Sequence, residues 1–324
     1  MTDSLITETA DRLMADHVTP AAVRALAAGG SPAALWAGLA ESGFLDALAS
    51  EEAGGAGLSE MDMLPVLVAA GRHGLPLPFG ATIAARAAIA AAGETAPEGI
   101  IALAASGRRD GGNLIAQVPA GEHAEGVLVP DGDGAILLSV ASATVETAGD
   151  GTACRMAWQG ANGPRIAGFD ALATGARIEA AEMAGAMEAM QVTTLRYAND
   201  RSQFGRAIGK FQAVQQQLSV MTELVHGARA AVHVAAAAPG SLEATAAAKV
   251  TVGEAAAQVV AIAHAVHGAI GMTEELDLHL LSERIRRGRL RYGSERHWAE
   301  RLGQAVLASE EATLLDFVRN RVFS

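Results

Sequence analysis

Apolar residues recur every three or four positions along most of this chain, the spacing that puts side chains on one face of a helix. Ser4 to His17 places Leu5, Ile6, Ala10, Leu13 and Met14 on one side. Thr19-Pro20 sets an N-cap before a proline at the first helical position. Ser31-Pro32 repeats that device ahead of PAALWAGLAESG, which Gly43 closes. Glu51 to Gly57 reads as a glycine-rich loop, and Ser59 then caps a helix carrying Met63, Leu64, Leu67 and Val68, with Pro65 about two turns in as a candidate kink. From Glu98 the period changes. GIIALAA, NLIAQVPA, EGVLVP, AILLSVAS, ATVETA and CRMAWQG are short strand-like runs separated by Gly, Asp and Asn, as in DGDG and AGDG. They predict roughly six strands. Helical spacing returns at Phe169. Ala171 to Asp200, Phe211 to Ala238, Ser241 to His267 and Met272 to Arg291 are predicted as four long helices, and Gly293 to Leu307 and Glu310 to Val322 finish the chain. Four long helices with short connections make an antiparallel bundle.

The fold class is therefore α+β and mostly α: an N-terminal helical domain over 1–97, a small β domain over 98–168 and a C-terminal four-helix bundle over 169–324. Composition agrees, since half of the 324 residues are hydrophobic and only 4% are aromatic, an alanine-dominated mixture that favours helix. A net charge of −12 argues against a nucleic-acid binder, whose phosphate affinity needs a basic surface. The single cysteine, Cys154, excludes an internal disulfide and reads as a small apolar strand residue. The N-terminus is acidic and amphipathic, without a basic segment followed by an apolar one. No uninterrupted apolar run reaches the roughly 18 residues of a membrane span, so a cytoplasmic protein is expected. His264 and His267 stand three apart, but with no third ligand nearby in sequence they read as packing or cap residues, and no metal is expected. The GGAG of the N-terminal loop follows no strand and precedes no GK[ST], so it is not read as a phosphate cradle.

The candidate chemistry sits in RYANDRSQFGRAIGKFQAVQQQLSVM, Arg196 to Met221. It reads as a helix end, a loop bracketed by Gly205 and Gly209, and a second helix whose apolar stripe is Phe211, Val214, Leu218, Met221 and Val225. The other face carries Gln212, Gln215, Gln216 and Gln217, amides that donate and accept without charge. Read from the residues alone, Arg201 either pairs with Asp200 or a backbone carbonyl, or meets a ligand anion. Arg201-Ser-Gln-Phe204-Gly205, Ile208, Phe211-Gln212, Gln215, Leu218 and Met221 resemble the helix-loop-helix signature of the acyl-CoA dehydrogenase family. The resemblance implies that this segment reaches across a dimer interface to the FAD of the neighbouring subunit. Arg201 would meet the pyrophosphate, for which a permanently charged guanidinium is suited, Gln203, Phe211 and Gln212 would line the adenosine half, and Phe204 would belong to the same cofactor site.

A second stretch, His267-Gly268-Ala269-Ile270-Gly271-Met272-Thr273-Glu274-Glu275, resembles the family's H-G-G-I-G-F-T-x-E segment. The small residues Gly268, Ala269 and Gly271 would let FAD approach the main chain. Ala265 stands where the family often has a glutamine. The N-terminal block, with its LW..L.E.GF pattern and EE.GG.GL loop, matches as well. The middle matches poorly. The family's Thr-Glu-Pro segment, its Gly-Ser-Asp turn and its Trp-Ile-Thr-like strand, which hold the flavin ring, are not found, and Trp158 in AWQGAN is not that motif.

The family's catalytic carboxylate precedes a Gly-Thr pair. Here Gly293-Ser294 survives as a candidate flavin contact, and the base position holds Tyr292, a phenol with a reference pKa near ~10. Branches that place the base on the first bundle helix put it near Ala176-Arg177, where this chain has no acid. Glu179, Glu182 and Glu295 are the carboxylates available for recruitment, and their plainer role is as solvated or salt-bridged helix residues. The run ERIRRGRLRYGSER holds Arg284, Arg286, Arg287, Arg289, Arg291 and Arg296, either a solvated face paired with Glu283 and Glu295 or an anion or partner surface. The resemblance extends to bacterial enzymes of steroid side-chain degradation built from two different subunits. The expected function is thus a subunit of a FAD-dependent acyl-CoA dehydrogenase, the one lacking the base, acting on an acyl-CoA thioester beside a homologous subunit or a copy of itself as a dimer or tetramer. The alternatives are a complete homo-oligomeric enzyme with a relocated Glu and a degenerate, non-catalytic scaffold. Neither the acyl group nor the electron acceptor is named by the sequence.

Overall fold

A computed structural model of the chain describes residues 2–147, 152–273 and 275–323. The end of the ATVETA run, the AGDG turn and Glu274 lie outside the described residues. Helices α1 (Thr2–His17), α2 (Pro20–Ala27), α3 (Ala33–Ala40), α4 (Glu60–Arg72) and α5 (Phe79–Ala91) open the fold. Thr19 caps α2 by accepting from the Ala22 amide at 3.2 Å. At α3 the device shifts by one residue: Pro32 is itself the N-cap, and the Ser31 hydroxyl accepts from the Ala33 amide. Ser59 and Asp62 close a reciprocal capping box at α4, and the helix runs on through Pro65. The glycine loop before it holds a single 3-10 turn, Glu51–Ala53.

Eight strands follow among the described residues, where roughly six were expected: β1 (Ile101–Leu103), β2 (Ser106–Asp110), β3 (Asn113–Pro119), β4 (Gly126–Asp131), β5 (Gly134–Ser139), β6 (Thr144–Thr147), β7 (Ala153–Gln159) and β8 (Arg165–Ala167). They form two four-stranded sheets, β1-β4-β5-β8 and β2-β3-β7-β6. Only β1 and β4 pair parallel among these. The strand SGRRD escaped the sequence reading because it is an exposed edge with no apolar alternation to betray it. Cys154 is buried in β7.

The second half is α6 (Ala171–Asp200), a two-residue hairpin β9 (Ser202–Gln203) and β10 (Arg206–Ala207), α7 (Gln212–Ala237), α8 (Leu242–His267), α9 (Leu278–Leu290), α10 (Glu295–Ala308) and the short α11 (Leu314–Phe317). The helix expected from Met272 begins only at Leu278, because Gly268–Met272 turns as a 3-10 segment. The expected helix from Glu310 to Val322 is reduced to α11 and a π turn, Val318–Val322. Helix α8 with its extension, Leu242–Met272, is long and apolar enough to cross a bilayer by length and composition, which the sequence reading overlooked. It packs on α6, α7 and α10, carries the buried Lys249, and takes its apolarity from being a bundle helix.

Helices α4 and α6 cross with their backbones in contact. A Cβ on Gly71 would lie 1.8 Å from the Glu182 carbonyl oxygen, and one on Gly185 would lie 1.9 Å from that of Val68. No larger residue fits at either point without separating the helices. One core joins the N-terminal helices to the sheets, and a methionine-rich one fills the bundle. A third lies where α5, β1 and the first turns of α6 meet Tyr292 and Trp298. That junction is where the base position falls.

Candidate functional site

The chain leaves α9 through Arg291 and turns sharply at Tyr292 and Gly293, which have φ of +54° and +91°. For a tyrosine this left-handed backbone is strained by about 1–3 kcal/mol. Its neighbours hold it there. The Trp298 indole, fully buried, donates to the Tyr292 carbonyl at 2.8 Å. The Tyr292 hydroxyl donates to the Leu103 carbonyl on β1 at 3.2 Å. The ring lies on Gly175, where a Cβ would come within 2.3 Å of it. Ser294 caps α10. Burial, and after it the nearby Glu179, pushes the Tyr292 phenol well above its ordinary value. A neutral phenol already engaged by a carbonyl does not accept a proton from carbon at neutral pH.

Beside the ring lie the two carboxylates of α6 that the sequence offered as candidate bases. Glu179 and Glu182 are 4% and 6% exposed. Both accept hydrogen bonds from Arg284, one on each terminal guanidinium nitrogen. They are buried and shared, not solvated, because Arg284 is itself 7% exposed. Burial raises both carboxyls. At Glu179 the combined attraction of Arg284, Arg291 and Lys249 outweighs it and the group falls below the ordinary range. At Glu182 burial prevails over Arg284, Glu179 adds its repulsion, and the group rises to about 7. One guanidinium cannot hold two carboxylates at full charge in a dry site, so the first proton goes to Glu182. Lys249 of α8 completes the junction. Its Nζ donates to the Gly288 carbonyl at 2.7 Å and the Arg289 carbonyl at 3.3 Å, terminating α9. Burial lowers its amine to about 8, against the pull of Glu179 and Glu295. Glu295, the third candidate, is engaged by Arg289.

The void left among Leu77, Ala81, Gly175, Ile178 and Tyr292 is about 20 Å³, room for about one water. A larger cleft of about 570 Å³ opens nearby, at the start of α6, bounded by Gly168, Asp170, Arg177 and Ser241. Arg177 there is clamped to Glu60 by two hydrogen bonds of 2.9 and 3.0 Å. Ala176, the position before it, is buried.

The remaining candidates gather on an exposed edge of the bundle. The Arg201 amide donates to the Tyr197 carbonyl, ending α6. Its guanidinium is exposed, with no ion pair or hydrogen bond among the described residues. Phe204 is 92% exposed with φ of +52°, at the tip of the hairpin. Its ring meets Phe211 edge-on with centroids 6.2 Å apart, and the Arg206 guanidinium lies 4.1 Å from the Phe211 centroid. Gln203 and Gln212 are exposed on the same hairpin and the start of α7. Tyr197 links this segment to the second motif, stacking on His267 at 4.4 Å and donating to its carbonyl at 3.4 Å. Gly268 follows with φ of +63° and nothing within 4 Å of its Cα face, and Ala269 is exposed beside it. Gly271 is buried against His267. His264 shares a hydrogen bond of 2.7 Å with Ser282.

The named residues thus fall into two groups. Arg201, Gln203, Phe204, Phe211, Gln212, Gly268, Ala269 and Gly271 share one edge, while Gly293 and Ser294 belong to the Tyr292 junction. The edge fits a diphosphate-linked cofactor: a free guanidinium, exposed aromatic and amide side chains, and small residues with open main chain. The Tyr292 junction does not fit a flavin ring, since the phenol occupies the Leu103 carbonyl and the space is filled. Sequence reasoning missed Gly175, Tyr197, Leu103, Lys249 and Trp298, which act through contacts far along the chain. Only a glycine within a run of helix formers, at Gly175, was there to be noticed. The arginine run divides. Arg284 and Arg291 are buried, Arg286 and Arg287 flank Glu283, and Arg296 pairs with Glu300.

The family model described as the acyl-CoA dehydrogenase N-terminal domain matches residues 2–97, and the one for the C-terminal domain matches 170–307. The acyl-CoA dehydrogenase IpdE2 of Mycolicibacterium smegmatis is 32% identical over 309 residues, covering 93% of this chain and 98% of that protein. The protein of the same name from Mycobacterium tuberculosis is 31% identical over 304 residues, covering 86% and 89%. Among solved structures, the ChsE4-ChsE5 complex from Mycobacterium tuberculosis superposes with a TM-score of 0.84 at 22% identity, over 96% of this chain and 98% of that one.

Proposed function

The chain belongs to the acyl-CoA dehydrogenase family, a family of FAD-dependent oxidoreductases, and we propose that within it the chain is the subunit that lacks the base, working in a cytoplasmic hetero-oligomer. The observation that carries this reading is Tyr292: the residue at the base position is a buried phenol, bonded to Leu103 and packed on Gly175. FAD, when bound, would supply the hydride acceptor for dehydrogenation of an acyl-CoA, and the α-carbon proton would pass to a carboxylate, which this chain lacks at position 292. This chain's contribution is to hold the far end of the cofactor. Arg201 offers a charge-assisted partner for the diphosphate, Gln203, Phe204, Phe211 and Gln212 offer the adenosine half its stacking and amide contacts, and Gly268 and Ala269 allow main-chain approach. The partner brings the flavin-ring contacts and the carboxylate. That a similar fold occurs in a complex of two named components supports a hetero-oligomer.

One observation favours the relocated-base alternative: Glu182, raised to about 7, is poised for proton transfer at neutral pH. Arg284 holds its carboxylate, however, and the adjoining void admits about one water. The test is co-expression with a homologous dehydrogenase subunit bearing a Glu before its Gly-Thr pair. One flavin per heterodimer, with turnover dependent on the partner's Glu, is the expected result. A flavin-loaded, active homo-oligomer of this chain overturns the proposal.

A further inference from the structure

On the reading that the exposed edge holds FAD, we propose that Tyr197 and His267 form a brace that sets the Arg201 hairpin and the Gly268 turn at the spacing one FAD requires, so that both are positioning residues for the cofactor. The two halves of that edge are remote in sequence. The hairpin leaves the end of α6, and the turn Gly268–Met272 leaves the end of α8. Tyr197 sits in the last turn of α6, and His267 is the last residue of α8. Their rings stack with centroids 4.4 Å apart and planes inclined by 25°.

Each residue of the pair also holds the segment that follows it. The Tyr197 carbonyl accepts from the Arg201 amide at 2.9 Å, which fixes the point where the hairpin departs. His267 leads directly into Gly268, whose amide donates to the His264 carbonyl and whose φ of +63° turns the chain. A Cβ on Gly271 would lie 2.9 Å from the His267 Cβ, so the turn folds back onto the histidine. The Tyr197 hydroxyl reaches the His267 carbonyl only at 3.4 Å. The ring stack, more than that long hydrogen bond, therefore carries the tie.

The histidine serves here through its ring face. Its Nδ1 lies 2.8 Å from the Ala263 carbonyl, which can only accept, so the proton is on Nδ1. Nε2 is then a bare acceptor, buried with no hydrogen-bond partner in a residue that is 4% exposed. An unpaired polar atom in a dry site costs stability, and a hydrocarbon ring would not carry that cost. What the position gains is the aromatic face against Tyr197. The bundle does not depend on this contact, because α6 and α8 pack along their lengths through Met183, Met187, Val252 and Val259. Loss of the stack should free the two helix ends and leave the helices in place.

Fluorescence titration of FAD into the flavin-depleted assembly, with a thermal melt of each variant, tests the brace. Tyr197→Leu and His267→Leu should each weaken FAD binding about threefold to tenfold, the worth of one aromatic stack, with little change in melting temperature. Tyr197→Phe and His267→Phe keep the rings and should bind within about twofold of the native protein. The two leucine substitutions together should cost no more than either alone, because they remove one contact. Arg201→Ala should cost less in the Tyr197→Leu background than in the native one, since a displaced hairpin no longer brings the guanidinium to the diphosphate. Native affinity in both leucine variants, a large fall in their melting temperature, equal damage from phenylalanine and leucine, or an Arg201→Ala effect unchanged by Tyr197→Leu overturns the brace and leaves the cofactor edge standing. If Arg201→Ala has no effect in the native background, the edge is not the cofactor site and the brace falls with it.

Discussion

Gly175 and Tyr292 are complementary: the ring of one occupies the volume a side chain on the other would need, with 2.3 Å between a Cβ on Gly175 and the ring carbons. This contact, more than the loss of a carboxylate by itself, closes the site. It can be measured as a double-mutant cycle. Gly175→Ala alone should destabilise by up to about 2 kcal/mol, because overpacking costs ~1–3 kcal/mol and alanine's helix preference returns ~1 kcal/mol. In a Tyr292→Gly background, where the left-handed backbone is also relieved, the same Gly175→Ala should stabilise. Urea unfolding of the four proteins checks the change of sign, and an effect of the same sign in both backgrounds would mean that the ring does not rest on Gly175.

The buried carboxylate pair gives stability a pH dependence. Glu182, raised to about 7 in the folded chain, binds its proton more readily there than in the unfolded chain, whose ordinary value is 4.5. Stability from this group is therefore present below the unfolded value and is lost as pH climbs to about 7. Lys249 runs the other way. Its amine, lowered to about 8 from 10.5, holds its proton less well when folded, so stability rises with pH between those values. Together they place a shallow minimum near neutrality. Glu182→Gln should flatten the descending limb, a difference on the order of 2 kcal/mol between pH 5 and 7.5. Chemical unfolding across that range tests it. An unchanged slope in the variant would assign the pH dependence to other groups.

Arg201 makes no ion pair or hydrogen bond through its guanidinium among the described residues, so its removal should leave folding untouched. If it meets the diphosphate, Arg201→Ala should weaken FAD retention by about 10–100-fold in the assembled protein, the loss of one charge-assisted contact. Arg201→Lys should recover part of this, since a point charge lacks the planar fork. Flavin absorbance per protein after gel filtration gives the answer. Full retention in the alanine variant removes Arg201 from the cofactor site.

What was legible in the sequence follows from the range over which each signal acts. Helical period and caps are local, so α6 was read to within a residue, and Thr19, Ser59 and Ser241 were read as caps. The start of α9 was misread because Met272, Glu275 and Leu276 are good helix formers, while the 3-10 turn at Gly268–Met272 delays the helix to Leu278. The hairpin at Phe204 and the turn at Gly268 were found as short motifs because their chemistry is contained in a few adjacent residues. The Tyr292 junction was half legible. The absence of a carboxylate could be seen at one position, but the filling of the site requires Gly175, Leu103 and Trp298, which are remote in sequence. Glu179 and Glu182, expected to be solvated or salt-bridged, are salt-bridged and also buried, because Arg284, 102 residues beyond Glu182, folds back onto them.

The closed junction makes one prediction that the identity of residue 292 alone does not. If the missing base were the whole defect, Tyr292→Glu would restore a working half-site, and a positioned carboxylate contributes about 10²–10⁴-fold. The void beside residue 292 is about 20 Å³, and replacing tyrosine by glutamate frees only part of a ring. Arg284 still holds Glu179 and Glu182 in the wall of that void, and nothing in the substitution releases them. Tyr292→Glu in the isolated chain should therefore show no acyl-CoA-dependent flavin bleaching. In the assembly with a base-bearing partner, the same variant should turn over at the rate of the native assembly, as should Tyr292→Phe, since position 292 lies outside the working half-site. Stopped-flow absorbance with a saturated acyl-CoA distinguishes the cases. Bleaching by the isolated Tyr292→Glu protein would mean that the junction opens readily and that the base alone was lacking. Bleaching by the isolated native chain, abolished by Glu182→Gln, would instead make Glu182 the base and the chain a complete enzyme.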